Sequence, residues 1–257
     1  MKVVILAGGY GTRISEESHL RPKPMIEIGG MPILWHIMKY YSHYGHNEFI
    51  ICAGYKQYVI KEFFNNYFLH NSDVTFDYSS HDKLTVHLKT TENWKVTVID
   101  TGMDTMTGGR IKRIRPYLNG ESFLLTYGDG LSDVNIDKLI DSHVNSNSLL
   151  TLTAIKPEGR FGFLDIIDSN KIKAFREKSR DDVGWINGGF MVVENSFIDF
   201  IDDDDTILEQ TPMKMIAEQN KLSAYKHDGF WQCMDTLRDK NKLEDMFEKN
   251  VAPWKVW

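Results

Sequence analysis

This sequence predicts an α/β fold built on a mainly parallel sheet, and three observations carry that prediction. Apolar runs of strand length alternate with amphipathic stretches at helical spacing through the first half of the chain. The first run ends directly in glycines, Leu6-Ala-Gly-Gly-Tyr-Gly-Thr-Arg13. A later one, Ser122–Tyr127, runs into Gly128-Asp-Gly130, and open parallel sheets bind their ligands at the carboxyl ends of strands.

Lys2-Val-Val-Ile-Leu-Ala7 is short, apolar and β-branched, as in a strand buried on both faces. From Pro32 to Tyr44, Ile33, Leu34, Ile37, Met38 and Tyr41 recur at helical spacing, with a proline at the first turn and Gly45 as the stop. Glu48–Cys52 is a second strand. Lys56–Leu69 is a second helix with Val59, Ile60, Phe63, Phe64, Tyr67 and Phe68 on its apolar side. Strand, helix, strand, helix in this order implies right-handed crossovers and parallel pairing. Val74–Tyr78, Leu84–Leu88 and Val96–Ile99 then alternate roughly, which suits either extension of the sheet or a β-ribbon excursion. Thr107–Leu118 reads as a helix, Ser122–Tyr127 as a buried strand and Asn135–Val144 as an amphipathic helix. Beyond it, strands are expected near Leu149–Ile155, Phe163–Ile167 and Ile186–Val193. Helices are expected near Phe197–Ile201, Met213–Gln219 and Thr236–Glu248. No repeat or low-complexity linker interrupts the chain, so the economical reading is a single domain over 1–257. Its halves are 1–130, of nucleotide-binding type, and 131–257.

Composition narrows the function. The chain has 257 residues, 42% hydrophobic and 26% charged, which suits a globular protein able to bury a full core without disulfides. Cys52 and Cys233 lie far apart with no C-x-x-C spacing and read as two reduced thiols. No apolar run approaches the roughly 18 residues of a membrane span, and Val3–Ala7 is too short for a signal-peptide core, so a cytoplasmic setting is expected. The net charge of −6, with no basic block longer than Arg110–Arg115, argues against nucleic acid as a partner. An anionic ligand would have to be met by a few focused cations and backbone N–H groups.

Those groups are present. Glycines after a first parallel strand let backbone N–H groups close on phosphate oxygens. Gly8–Gly11 is not a Walker loop, since Arg13 stands where that motif needs glycine. Nor is it a dinucleotide fingerprint, since Ile14 replaces the third glycine, which disfavours a nicotinamide-dependent oxidoreductase. In Arg21-Pro-Lys-Pro-Met25 two prolines stiffen the backbone around Lys23 and aim its ammonium. Asp129 ends a buried strand, and Asp235 follows the aromatic-rich segment Gly229–Met234. A carboxylate pair together with nucleotide phosphates is a common way to hold Mg²⁺, but spacing does not say whether 129 and 235 meet. Arg110, Arg160 and Lys178 stand beside glycines or strands and could touch phosphate, but an isolated cation more often faces solvent, and only their occurrence together with the glycine loop favours phosphate. His43 and His46 lack a second ligand pair, Asp202–Asp205 reads as a solvated turn, and no Gly-x-Ser-x-Gly elbow is present.

Taken in order, Leu6-Ala-Gly-Gly-x-Gly-Thr-Arg13, Pro22-Lys-Pro-Met25 and Gly128-Asp129 resemble the motifs of the sugar-1-phosphate nucleotidylyltransferase family. Glu27-Ile-Gly-Gly, Ile33–Met38, Tyr67–His70, Met106–Arg110, Ile186–Phe190, Phe230–Asp239 and Ala252-Pro-Trp-Lys extend the likeness, nearly end to end, to its cytidylyltransferase branch. The resemblance implies a Rossmann-like mixed, mainly parallel sheet flanked by helices, and a reaction of CTP with α-D-glucose 1-phosphate that yields CDP-glucose and pyrophosphate. It also implies Mg²⁺, a homo-oligomer such as a hexamer, and a supply of sugars for O-antigen and lipopolysaccharide. Uridylyl or thymidylyl transfer, and a catalytically silent nucleotide-sugar sensor, are the alternatives. By resemblance Arg13, Lys23 and Asp129 are catalytic and Asp129 and Asp235 hold the metal. Nucleotide contacts are assigned to Leu6, Ala7, Gly8, Gly9, Tyr10, Gly11, Thr12, Arg13, Lys23, Asp104, Thr107, Gly109, Arg110 and Gly128. The sugar phosphate is assigned to Gly162, Glu177, Lys178 and Asn187.

Overall fold

A computed structural model describes residues 1–79, 84–89, 91–157, 163–166, 172–176 and 184–257. Eight strands form its main sheet: β1 (Val3–Ala7), β2 (Glu48–Ala53), β3 (Lys95–Asp100), β4 (Phe123–Tyr127), β5 (Leu150–Ile155), β6 (Ile186–Asn187), β7 (Met191–Val193) and β8 (Leu222–His227). The order is β6-β5-β7-β4-β1-β2-β3, with β8 added to β5. β4, β1, β2 and β3 are parallel, Val3 lying opposite both Phe49 and Leu124. β7 is antiparallel to β4 and to β5, β6 is antiparallel to β5, and β8 is parallel to it. The expected α/β class and mixed, mainly parallel sheet are what the chain adopts.

Helices α1 (Ile33–His43), α2 (Gln57–His70), α3 (Thr107–Arg113), α4 (Ile136–Ser146), α5 (Thr211–Glu218) and α6 (Leu237–Glu248) cover both faces. All of β1 is buried, and its side chains alternate between two cores. Val3, Ile5 and Ala7 join α1, α4 and α6, whereas Val4 and Leu6 join α3 and α5. The stripe read from the sequence, Ile33, Leu34, Ile37, Met38 and Tyr41, is the buried face of α1, each residue no more than 1% exposed. Burial of each such side chain stabilises the fold by roughly 1.5–3 kcal/mol.

Three local readings are refined. Of the alternating runs, Ser72–Phe76 and Leu84–Lys89 pair as a ribbon off the sheet, while β3 extends the sheet itself. The helix expected over Thr107–Leu118 ends at Arg113. A 3₁₀ turn, Arg115–Tyr117, follows it, because Pro116 has no N–H to continue the ladder. The strand expected over Ile186–Val193 is broken into β6 and β7. The break includes Phe190 at φ 44°, a left-handed conformation that a side chain rarely adopts. Two strands had no clear periodic signal in the sequence, β8 and Ile172–Arg176. Among the described residues no helix is long and apolar enough to cross a membrane.

Outside the sheet, Gly130–Ser132 pairs antiparallel with Trp231–Cys233. This short ribbon joins the end of β4 to the start of α6, and so it brings together the two distant segments that carry the candidate carboxylates.

Candidate active site

The carboxyl ends of β1 and β4 and the segment that follows β3 open into a crevice of about 550 Å³. Of the residues assigned to the nucleotide, Leu6, Ala7, Gly8, Gly9, Tyr10, Gly11, Thr12, Arg13, Lys23, Asp104, Thr107, Arg110 and Gly128 all line it. A second recess, about 240 Å³, shares Arg13, Tyr127 and Asp129 with the crevice and adds Asn187, Phe190, Trp231 and Cys233. Gly162, Glu177 and Lys178 lie outside the described residues, as does Arg160.

Lys23 lines the crevice beside Asp129, which both cavities share. Pro22 holds extended backbone at φ −65°, ψ 149°, and a 3₁₀ turn over Lys23–Met25 follows, so the lysine enters the site from a stiff segment. Gly11 makes the approach possible. At φ 67° it sits where a Cβ would press within 3.2 Å of the Lys23 side chain. The lysine is 7% exposed, and its Nζ donates to Asp129 Oδ2 at 2.6 Å and to Asp235 Oδ1 at 2.5 Å. Arg13 Nη1 donates to Asp235 Oδ2 at 2.5 Å from a side chain 72% exposed.

Two cations and two carboxylates thus compensate one another. Burial works to lower the pKa of Lys23, but the Asp129 charge and the hydrogen bonds to both carboxylates outweigh it and hold the pKa above the usual lysine value. For Asp235 burial works upward, and the Lys23 and Arg13 partners hold the carboxyl below its usual range.

The chain makes this meeting from distant parts. Gly128 N donates to Leu6 O at 2.9 Å, carrying the β1–β4 ladder to the edge of Asp129. Met234 N donates to Asp129 O at 2.8 Å, which fixes Asp235 beside it. The Asp239 carboxylate then accepts from the backbone N–H groups of Asp235, at 3.2 Å, and Thr236, at 2.9 Å. Thr236 returns the bond as the N-cap of α6, forming a capping box. Asp129 and Asp235 are the residues that could hold a divalent cation. Their oxygens suit a hard ion, and with Cys233 Sγ they form a cluster of donor atoms within 4.8 Å of one another.

Two residues assigned to the nucleotide have packing and bracing roles in the fold. Gly109, expected to touch the nucleotide, packs α3 against the 204–206 turn. A Cβ there would lie 2.5 Å from Asp204 Cα, so the glycine serves close approach. Arg110 lines the crevice, yet its guanidinium is spent as a brace. It donates to Ala53 O, Thr101 Oγ1, Gly102 O, Gly8 O and Met103 O, tying the glycine loop to the ends of β2 and β3. Burial lowers its pKa. Tyr10 OH donates to Asp104 Oδ1 at 2.6 Å, a link across the mouth of the crevice. No motif pointed to Glu209, which accepts from Tyr127 OH at 2.6 Å and from Thr107 Oγ1 at 2.8 Å. Asn187 Nδ2 donates to the same tyrosine oxygen at 3.1 Å. Tyr127, quoted in its motif but given no role, therefore connects the crevice to the recess.

Comparison with known proteins shows the family. The profile of a family described as nucleotidyl transferase matches residues 2–239. Over 258 aligned residues, covering 100% of both chains, the sequence is 56% identical to glucose-1-phosphate cytidylyltransferase of Salmonella typhi. It is 43% identical, again over 100% of both, to a probable glucose-1-phosphate cytidylyltransferase of Bacillus subtilis. The crystal structure of HddC from Yersinia pseudotuberculosis complexed with GMP-PN superposes with a TM-score of 0.68 at 26% identity, covering 96% of this chain and 99% of that one.

Proposed function

Because the chain belongs to the nucleotidyl transferase family, we propose that it joins CTP and α-D-glucose 1-phosphate into CDP-glucose, releasing pyrophosphate. One observation carries the reading: Lys23 lines the crevice and its ammonium bridges Asp129 and Asp235, and Asp129 lines both the crevice and the smaller recess. The nucleotide takes the crevice beneath Gly8–Gly11, and the hexose phosphate takes the recess beside Asn187. Gly162, Glu177 and Lys178 belong to the same sugar-phosphate reading. The choice of cytosine and glucose rests on full-length likeness to proteins of that name.

A sugar phosphate is largely ionised at neutral pH, its second pKa lying near ~6 as for phosphorylated side chains, so its oxygen attacks the α-phosphorus without a general base. Catalysis then reduces to alignment and charge neutralisation. The Gly8–Gly11 backbone and Thr12 hold the triphosphate. Lys23 meets the charge on the α-phosphate, and Arg13, on its exposed side chain, meets the charge that grows on the departing pyrophosphate. Asp129 and Asp235 would hold Mg²⁺, which would supply charge neutralisation at the phosphate oxygens. The same reading places a homo-oligomeric enzyme in the cytoplasm, serving bacterial surface polysaccharide.

The test is pyrophosphate release with glucose 1-phosphate, comparing CTP, UTP, dTTP, ATP and GTP, with and without EDTA. Release with CTP alone, abolished by EDTA, is the expected result. Release with another nucleotide keeps the chemistry and overturns the base. Silence with all five overturns the reading in favour of another sugar phosphate or a nucleotide-sugar sensor.

A further inference from the structure

Glu209 lines neither cavity, yet its two carboxylate oxygens serve residues of both. Oε2 accepts from Thr107 Oγ1 at the first turn of α3, and Oε1 accepts from Tyr127 OH at the end of β4. Backbone bonds fix the segment that carries it. Met106 N donates to Asp204 O at 2.8 Å, Gly108 N to Thr206 O at 2.9 Å and Leu208 N to Thr107 Oγ1 at 2.9 Å. An exposed glutamate is ordinarily free to change rotamer, but two hydroxyl donors hold this one.

The tyrosine passes the constraint on. A carboxylate only accepts, so the Tyr127 proton is committed to Glu209, and the phenol oxygen is left to accept from Asn187 Nδ2 at 3.1 Å. Burial and the neighbouring Glu209 charge both raise the Tyr127 pKa, which keeps that proton in place. Asn187 Oδ1 in turn accepts from Gly189 N at 2.9 Å. The amide therefore faces one way, and the second hydrogen on Nδ2 is what Asn187 can offer a ligand of the recess it lines. Gly189 also bounds the ring, since a Cβ there would lie 3.0 Å from Tyr127 Cδ2.

From this relay we propose that Glu209 is a positioning residue for the hexose phosphate: acting through Tyr127, it holds Asn187 as a hydrogen-bond donor toward the recess. The proposal rests on the reading of the recess as the sugar-phosphate site. Without Glu209 the phenol proton is free to turn toward Asn187, where it opposes the Nδ2 donor, and the amide loses its fixed orientation. Thr107 keeps its bond from Leu208 N, so the crevice depends on Glu209 less than the recess does.

The test is steady-state kinetics of pyrophosphate release for Glu209→Ala, Glu209→Gln, Tyr127→Phe and the double variant of Glu209→Ala with Tyr127→Phe. Glu209→Ala should raise KM for glucose 1-phosphate about tenfold, the worth of one hydrogen bond, with smaller changes in kcat and in KM for CTP. Glu209→Gln should recover most of that loss, because its Oε1 can still accept from Tyr127 while its Nε2 donates to Thr107 Oγ1. The double variant should match Tyr127→Phe alone rather than reach about a hundredfold, since two residues acting through one chain of bonds do not add. Equal rises in both KM values, a Gln variant no better than the Ala variant, or additive effects in the double variant would each overturn the inference. Unaltered protein that is silent with every nucleotide would overturn the proposed function and this inference with it. Active unaltered protein whose KM for glucose 1-phosphate is unmoved by Glu209→Ala would overturn this inference alone.

Discussion

Replacing Arg110 with alanine separates a brace from a ligand contact. Five oxygens accept from its guanidinium, but they are not equally dependent on it. Ala53 O also accepts from Thr101 N at 2.9 Å, and Gly8 O from Tyr55 N at 3.2 Å. The carbonyls of Gly102 and Met103 lose the donor described above, at roughly 1–3 kcal/mol for each half-buried acceptor. With the packing of a residue that is 5% exposed lost as well, destabilisation should reach about 3–5 kcal/mol, the sum of the lost hydrogen bonds and packing at the upper end of single-residue effects. In thermal unfolding, at roughly 2–4 °C per kcal/mol for a chain near this size, that is a fall on the order of 10 °C. The assay is urea and thermal unfolding without nucleotide, set beside the KM for CTP. Arg110→Lys should recover only part of the loss, since one ammonium cannot span five acceptors. A variant whose ligand-free stability falls by less than about 1 kcal/mol, within the range of an ordinary point mutation, while CTP binding collapses, would refute the brace.

Three other outcomes follow from the site. Lys23→Ala should lower kcat by roughly 10²–10³, as loss of a group aimed at transition-state charge does, with a smaller change in KM for CTP; steady-state kinetics showing unchanged kcat and a raised KM would count against it. Asp235→Asn should flatten the acid limb of the stability curve. The carboxyl is held below its usual value in the fold, so its contribution is complete above the unfolded pKa of about 4 and is lost as pH falls through the folded one; urea unfolding across that range, parallel in both proteins, would contradict the assignment. Tyr127→Phe should raise KM for the sugar phosphate by about tenfold, the worth of one hydrogen bond near 1–1.5 kcal/mol. KM for CTP should move less, and equal rises in both would remove the tyrosine from the recess.

Much of this was legible before any fold was drawn. The buried faces of β1 and α1 are local properties, because an apolar run or a 3.6-residue stripe states which side must leave water. The glycine loop, the proline-bracketed Lys23 and Asp129 at a strand end were readable for the same reason, each motif setting its own backbone. β8 was missed because Leu222–His227 alternates only weakly; pairing with β5 over the whole of that strand makes it a strand.

By itself, then, the sequence determined the class of sheet, the helices that cover it and the residue types aimed at an anion. Only the tertiary structure decided which side chains meet. Asp235 reaches Asp129 through a three-residue ribbon and a capping box, and Arg110 spends its charge on backbone carbonyls of the glycine loop and the loop after β3 rather than on the open crevice. Tyr127 finds Glu209 across 82 residues. Periodicity is written into neighbours along the chain, but a hydrogen bond across such a distance exists only once sheet order and register have brought its partners together.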